Sequence, residues 1–389
     1  MRQFAGCCRF IWNKSLELEI ISCEETGKRI GYNTLAGFLR DLKKDEETTF
    51  LCDAHSQILQ QSLMDLDRAF DNFFQKRAGL PRFKKRGKHD AFRYPQGFKL
   101  DEKNSRIFLP KIGWVRYRKS RDTIGTPKQV TVCWEAGQWY VAVQTEREVA
   151  APPHPSQSAV GIDMGVACFA TLSDGTTLAP LHSFRKHEAK LAKAQRKLSR
   201  KEKFSSNWHK QKLKVQKLHK KIADIRKDFL HKASTDISNK HEMVVMEDLQ
   251  VKNMSASASG SLEDPGRNVR AKSGLNKSIL DQGWYEFRRQ LGYKLAWSGG
   301  SLVVIPPQYT SQTCHVCGHV DKASRVSQSQ FVCTACGHTT NADHNASLNI
   351  LAAGHVVSAW GAGKAQAPAL KQEPTRVAAL AASAGIPSL

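Results

Sequence analysis

The sequence predicts a multidomain chain of mixed α/β and α+β class. Three observations carry this prediction. A helical apolar periodicity in residues 1–75 gives way to short strand patterns over 95–147. A second alternation of buried strands and helices begins at residue 159. Four cysteines then follow in two close pairs. At roughly 100–200 residues per domain, 389 residues make two or three domains, and a hydrophobic content of 40% suits a globular chain. No apolar run approaches the about 18 residues of a membrane span. Met1-Arg2-Gln3-Phe4 opens no secretory h-region, so the chain reads as cytoplasmic, with no membrane partner.

Within 1–75, Ile58, Leu59, Leu63, Leu66, Phe70 and Phe73 recur close to helical spacing, and Gly79-Leu80-Pro81 breaks the pattern. A basic run follows: Arg82, Lys84, Lys85, Arg86, Lys88 and Arg93, interleaved with Phe83, Phe92 and Tyr94. Cations alone make a solvated face; rings among them favour nucleic acid, stacking on bases while the cations hold the backbone. Over 95–147, Ile107–Pro110, Trp114–Tyr117, Val130–Trp134 and Trp139–Val143 read as strands, the last two joined through Gly137. Several short strands suggest a small barrel or sheet. Ala150–Ser156 is a linker by its prolines.

Ala159–Asp163 opens the next domain as a strand, with Ala167–Thr171 as a second. Residues 184–232 are helical and basic, with 18 Lys+Arg against 4 Asp+Glu from Arg185 to Lys232. Ser205-Ser206-Asn207 is a turn between two antiparallel helices, with seams at Leu191/Leu198 and at Leu218/Ile222/Ile225/Phe229. Met243–Glu247 reads as a buried strand and Ser255–Lys277 as a flexible loop. Trp284–Trp297 reads as a helix, Leu302–Ile305 as a strand stopped by Pro306-Pro307, and Ala342–Leu351 as a helix. From Ala353 the Ala-, Gly- and Pro-rich tail reads as disordered. The expected domains are 1–150, 158–308 with the basic hairpin 184–232 inside it, 309–340, a last helix 341–352 and a tail 353–389.

The chain carries 59 Lys+Arg against 36 Asp+Glu, a net charge of +23. Clustered excess of one sign repels itself and points to a polyanion partner. Arg82, Lys84, Lys85, Arg86, Arg196 and Lys197 are the candidate phosphate contacts, chosen by clustering. Of ten cysteines, six are scattered among apolar residues. Cys314, Cys317, Cys333 and Cys336 form C-x2-C-x15-C-x2-C, the spacing of a zinc site. Gly318 and Gly337 follow the two knuckles, where the chain must turn back. Four thiolates leave no open position, so this zinc is structural.

Three separated acids make a second constellation. Asp163 ends a strand in Gly-Ile-Asp-Met-Gly, Glu247 ends one in Val-Val-Met-Glu-Asp-Leu, and Asp343 opens a helix in Asn-Ala-Asp-His-Asn-Ala. Converging, they would hold a pair of Mg2+ ions for phosphodiester hydrolysis. Singly, Asp343 could cap its helix, Glu247 could be a surface charge, and Asp248 is an alternative to Glu247.

These segments, with Gly6-Cys7-Cys8-Arg9-Phe10, Gly79–Lys84 and Tyr309–Cys314, resemble the TnpB (OrfB) family of bacterial insertion sequences over about residues 4 to 352. The resemblance implies an RNase H-like (RuvC) nuclease domain with Asp163, Glu247 and Asp343 as metal-binding, catalytic acids. It implies a zinc ribbon inserted before the Asp343 helix. It also implies an N-terminal lobe, a β-barrel interrupted by a helical bundle, that holds RNA and reads a short DNA motif. The implied partners are a guide RNA from the element's own end and double-stranded target DNA, sequence being read by base pairing. Family members begin with a further strand before the Gly6–Phe10 helix, so about fifteen to twenty residues are expected to be missing, leaving an open barrel edge. The alternatives are an inactive nucleic-acid binder, a strand-transferring transposase, and a zinc-ribbon interaction module.

Overall fold

A computed structural model describes residues 1–150, 152–261 and 263–361, which fall into two compact units meeting at Glu148/Val149. Among the described residues no helix is long and apolar enough to cross a membrane.

The first unit runs α1 (Arg2–Thr26), α2 (Gly31–Leu42), a 3-10 helix (Glu46–Asp53), α3 (Ser56–Phe74) and six strands: β1 (Ala91–Tyr94), β2 (Lys99–Asp101), β3 (Arg106–Leu109), β4 (Gly113–Arg116), β5 (Thr126–Glu135) and β6 (Gln138–Glu146). The α3 periodicity works as expected: Ile58, Leu59, Leu63, Leu66 and Phe70 are buried on one face. The strands form two separate antiparallel sheets, β1-β5-β6 and β2-β3-β4. No closed barrel is present among the described residues, a correction to the expected architecture. Strands β1 to β4 are only three or four residues long, and residues 117–125 between β4 and β5 pair with no strand. A second correction concerns the aromatics of the basic run. Phe92 and Tyr94 point inward from β1 and join Phe4, Leu59 and Val130 in the core, leaving Phe83 as the exposed ring.

The second unit carries a five-stranded sheet. Its elements are β7 (Ala159–Asp163), β8 (Ala170–Leu172), β9 (Thr177–Leu178), α4 (Ser183–Ser199), α5 (Ser206–Lys240), β10 (Met243–Glu247), α6 (Val251–Met254), α7 (Val269–Gln282), α8 (Trp284–Ser298) and β11 (Ser301–Ile305). A short 3-10 turn (Lys322–Ser324), β12 (Gln330–Val332), β13 (Thr339–Asn341) and α9 (Ala342–Gly361) complete it. The order is β11-β10-β7-β8-β9, with β7, β10 and β11 parallel and β7-β8-β9 an antiparallel meander.

Alternate residues of β7 and β10 serve opposite faces. Val160, Ile162, Val244 and Met246 pack with Leu230, Phe287 and Leu291 of α5 and α8. On the other face Val245 packs with Ile305 and Ile350 of α9. A glycine sets how close α9 comes: a Cβ on Gly161 would lie 2.2 Å from the Ser347 carbonyl oxygen. The hairpin of α4 and α5 zips along Leu191, Ala194, Val215 and Ile222, while Phe229, expected on the same seam, turns to the sheet core. Its turn is 200–205, just ahead of the expected one, because Ser205 caps α5 by accepting the Trp208 N–H. Residues expected to form a loop to Lys277 include the start of α7, whose Ile279 anchors it in the core. Helix α9 continues to Gly361, past the boundary expected at 352; the rest of the expected tail, 362–389, lies outside the described residues.

Candidate metal centres

Register places two of the predicted acids side by side. Ile162 pairs with Met246, so the next positions outward are Asp163 and Glu247, at the carboxyl ends of neighbouring parallel strands. By strand alternation both share the face of Gly161 and Val245, against which α9 packs. Asp343 sits in the first turn of that helix. It does not cap it: the Asn341 side-chain oxygen accepts the N–H groups of Asp343 and His344 at 2.9 and 3.1 Å. Asp163, Glu247 and Asp343 therefore line one polar cavity of about 260 Å3, with Thr310, Ser311 and Arg325. Asp248 faces the other way, bonded to Arg288 of α8, so of the two neighbouring acids it is Glu247 that lines the cavity.

Glu247 is only 7% exposed. Its Oε1 accepts the Thr310 hydroxyl at 2.5 Å. Burial pushes its carboxyl up, and the Thr310 bond opposes this. Asp163 is pushed up to about 7, by burial first, then by the charges of Glu247 and Asp343, with Arg325 pulling the other way. Burial also raises Asp343, which Arg325 partly offsets from 3.5 Å. Three crowded carboxyl groups facing one guanidinium make an oxygen-only donor set short of positive charge. That set fits a hard divalent cation.

The cysteines converge as their spacing predicts. The four Sγ atoms lie within 4.8 Å of one another, Cys314 and Cys333 buried, Cys317 and Cys336 exposed. A Zn–S length of about 2.3 Å demands tetrahedral edges of about 3.8 Å. The Cys314–Cys336 and Cys317–Cys333 edges measure 3.8 and 3.6 Å. The two knuckles match bond for bond. Gly318 donates to Cys314 O and Gly337 to Cys333 O, at φ of 73° and 72°, while Cys314 and Cys333 donate to the His319 and His338 carbonyls. These thiols can hold zinc.

Helix α9 ties this cluster to the acids. Buried Asn345 donates to Thr313 O at 2.7 Å and accepts the His315 N–H at 3.1 Å; Asn349 donates to the Thr310 and Thr313 carbonyls. Thr310 and Arg325 were not singled out in the sequence. Nothing in their spacing marks them, although Thr310 lies in the segment running into the first knuckle.

Of the candidate phosphate contacts, Arg82, Lys85, Arg86, Arg196 and Lys197 are exposed. Lys84 is partly engaged, its Nζ 3.5 Å from the Trp12 ring centroid and its backbone held by Asn13. The first group and Arg196/Lys197 belong to different units, and no shared surface is assigned to them.

The chain matches the family described as "Probable transposase" over residues 140–258, the "Cas12f1-like, TNB domain" over 284–350 and a "Helix-turn-helix domain" over 1–28. The first range holds Asp163 and Glu247; the second holds the four cysteines and Asp343. A protein of Escherichia coli (strain K12) named "Putative RNA-guided DNA endonuclease InsQ" is 58% identical over 97% of this chain and 94% of its own length. A Streptomyces pristinaespiralis protein with the same description, without InsQ, is 36% identical over 99% of this chain and 93% of its own. The fold is similar to that in "Cryo-EM structure of the Cas12f1-sgRNA-target DNA complex", with a TM-score of 0.54 at 16% identity, covering 90% of this chain and 81% of that one. On this similarity along nearly its whole length, the chain belongs to the TnpB (OrfB) family.

Proposed function

We propose that this protein is an RNA-guided, metal-dependent DNA endonuclease of a transposable element, hydrolysing phosphodiesters at Asp163, Glu247 and Asp343. The observation that carries the reading is the convergence of these three acids, from two strand ends and a facing helix, on one polar cavity. The sheet order, a meander followed by two parallel strands, supports an RNase H-like (RuvC) domain. Relatives named as RNA-guided DNA endonucleases support guide RNA and double-stranded target DNA as partners. The net charge of +23 suits both.

The three carboxylates would hold divalent ions, Mg2+ by the hardness of their oxygen donors, and a pair of ions would suit phosphodiester hydrolysis. Bound there, such ions supply positive charge that activates the attacking water and stabilises the leaving oxygen. The Thr310 hydroxyl fixes the Glu247 carboxylate through its Oε1. Arg325 lines the same cavity and would meet the negative charge of the scissile phosphate. The four thiolates would hold Zn2+, which would supply the cross-link that keeps the ribbon's shape, and Asn345 links the ribbon to the first turns of α9.

The test is Mg2+-dependent cleavage of a plasmid carrying the guide's target beside a randomised flank, by protein co-expressed with RNA from its own locus. Guide-dependent cutting that Asp163→Ala abolishes while RNA binding persists is the expected result. RNA binding without cutting by either protein favours an inactive binder.

A further inference from the structure

The nuclease reading leaves the far end of the α4/α5 hairpin unexplained. There Phe204 is 76% exposed, among the most exposed large apolar side chains in the described structure. It adopts φ 70°, a left-handed conformation that bulky residues rarely hold. The turn around it is fixed. Lys201 donates to Leu198 O, Ser205 donates to Glu202 O, and the Ser205 hydroxyl caps α5 through Trp208 N–H. An ordered turn thus holds a ring outward in an unfavourable backbone state, as at binding sites rather than at slack loops.

The ring is not alone. Phe204 and Trp208 lie 5.5 Å apart between centroids, and Trp208 continues to His209 at 5.1 Å. Lys212 Nζ sits 4.8 Å over the Trp208 ring. Arg200, Lys201, Lys203 and Lys210 flank the rings in sequence, exposed and without an ion pair among the described residues. Glu202 is the single acid in residues 200–210. A purely apolar partner would be repelled by this collar, and a phosphate chain alone would gain nothing from the rings. Both features together match a nucleotide whose base is free to stack, its backbone held by the cations.

We infer that the hairpin tip, through Phe204 and Trp208, is a stacking site for an unpaired base of a single-stranded nucleic acid. It deepens the nucleic-acid reading above but is tested without cutting. Trypsin cleaves after Lys203 and Lys210, so both rings leave on one peptide, residues 204–210. Full-length Asp163→Ala protein is irradiated with single-stranded oligouridine RNA containing 4-thiouridine, with the DNA counterpart containing 4-thiothymidine, and with each probe fully paired. Cross-linked peptides are then read by mass spectrometry.

The 204–210 peptide should cross-link to the single strands and not to the duplexes, and the RNA and DNA arms show which strand is preferred. Phe204→Ala and Phe204→Leu should lower the yield by about 5- to 150-fold, the range expected of one stacked base. Phe204→Tyr should restore it. Equal labelling by duplex and single strand, or labelling that Phe204→Leu sustains, overturns the inference. So does a Phe204→Ala protein altered only in self-association by sedimentation. Wild-type protein that cuts without tip cross-links overturns this site alone; tip cross-links without cutting overturn the nuclease reading alone.

Discussion

Replacing Asp163 by Asn should stabilise the RNA- and Mg2+-free protein, and more so as pH rises. In the fold, burial and the charges of Glu247 and Asp343 push the Asp163 carboxyl up to about 7 from 3.8. Because the folded value lies above the unfolded one, the stability this group contributes is whole below about pH 4 and is lost as pH rises toward 7. The full loss is about 4 kcal/mol at about pH 8, but only about 1.5–2 kcal/mol at about pH 5. Asn keeps the shape and carries no charge, so the variant's advantage should grow by about 2–3 kcal/mol between those pH values. For a unit of this size, that is roughly 4–12 °C in Tm. The assay is thermal unfolding followed by circular dichroism, in Mg2+-free buffer without chelator so that zinc on the thiols stays in place. Millimolar Mg2+ should then raise the Tm of the wild type and not of the variant, by binding only the folded acid cluster. A variant less stable than wild type at about pH 8, or an advantage that does not change with pH, would refute the account of a crowded acid site.

Further outcomes follow from the same contacts. Gly161→Ala should drive α9 off the sheet, costing roughly 1–3 kcal/mol by chemical denaturation and lowering cleavage, because the new Cβ meets Ser347 O and Leu351 N. Cys314→Ser should lower both zinc content by atomic absorption and Tm, since a tetrathiolate site folds with its metal; full zinc content with an unchanged melt contradicts this. Asn345→Ala should cost about 1–2 kcal/mol by removing its bonds to the Thr313 carbonyl, which Asn349 still reaches, and to the His315 N–H, and should disturb both the ribbon and the acids. Arg325→Ala should slow cleavage by tenfold or more while leaving the acids in place, read as a lower rate with unchanged RNA binding.

The parts of this site that were legible in the sequence are those that local chemistry dictates. Paired C-x-x-C spacing leaves the chain little choice but a tetrahedral cluster. An acid at the end of a Val-Val-Met run is a strand-end acid whatever surrounds it. Even the contest between Glu247 and Asp248 is one of alternation, since Glu247 shares Val245's face and Asp248 turns toward α8. What stayed hidden depends on tertiary approach. Arg325 reaches Asp343 across 18 residues of ribbon with no motif of its own. Phe92 and Tyr94 looked like stacking rings among cations, but burial in a strand decided their fate. Gly354 falls in the tail expected from Ala353; instead it lies in α9 and lets that helix cross Val245, where a Cβ would lie 2.3 Å from a valine methyl. The short strands of the first unit suggested closure into a barrel that pairing does not make among the described residues. Composition reports what a segment could bury, and only the partner surface determines what it does bury.

The most direct test of the central claim is the rate of Mg2+-dependent, guide-directed cleavage by Asp343→Asn protein beside Asp248→Asn protein. Both variants remove one negative charge; only the first removes it from the cavity shared with Asp163 and Glu247. The account predicts cleavage lost in Asp343→Asn and kept near wild type in Asp248→Asn, with RNA binding equal in both. Cleavage that survives Asp343→Asn, or is lost equally in both, would contradict it.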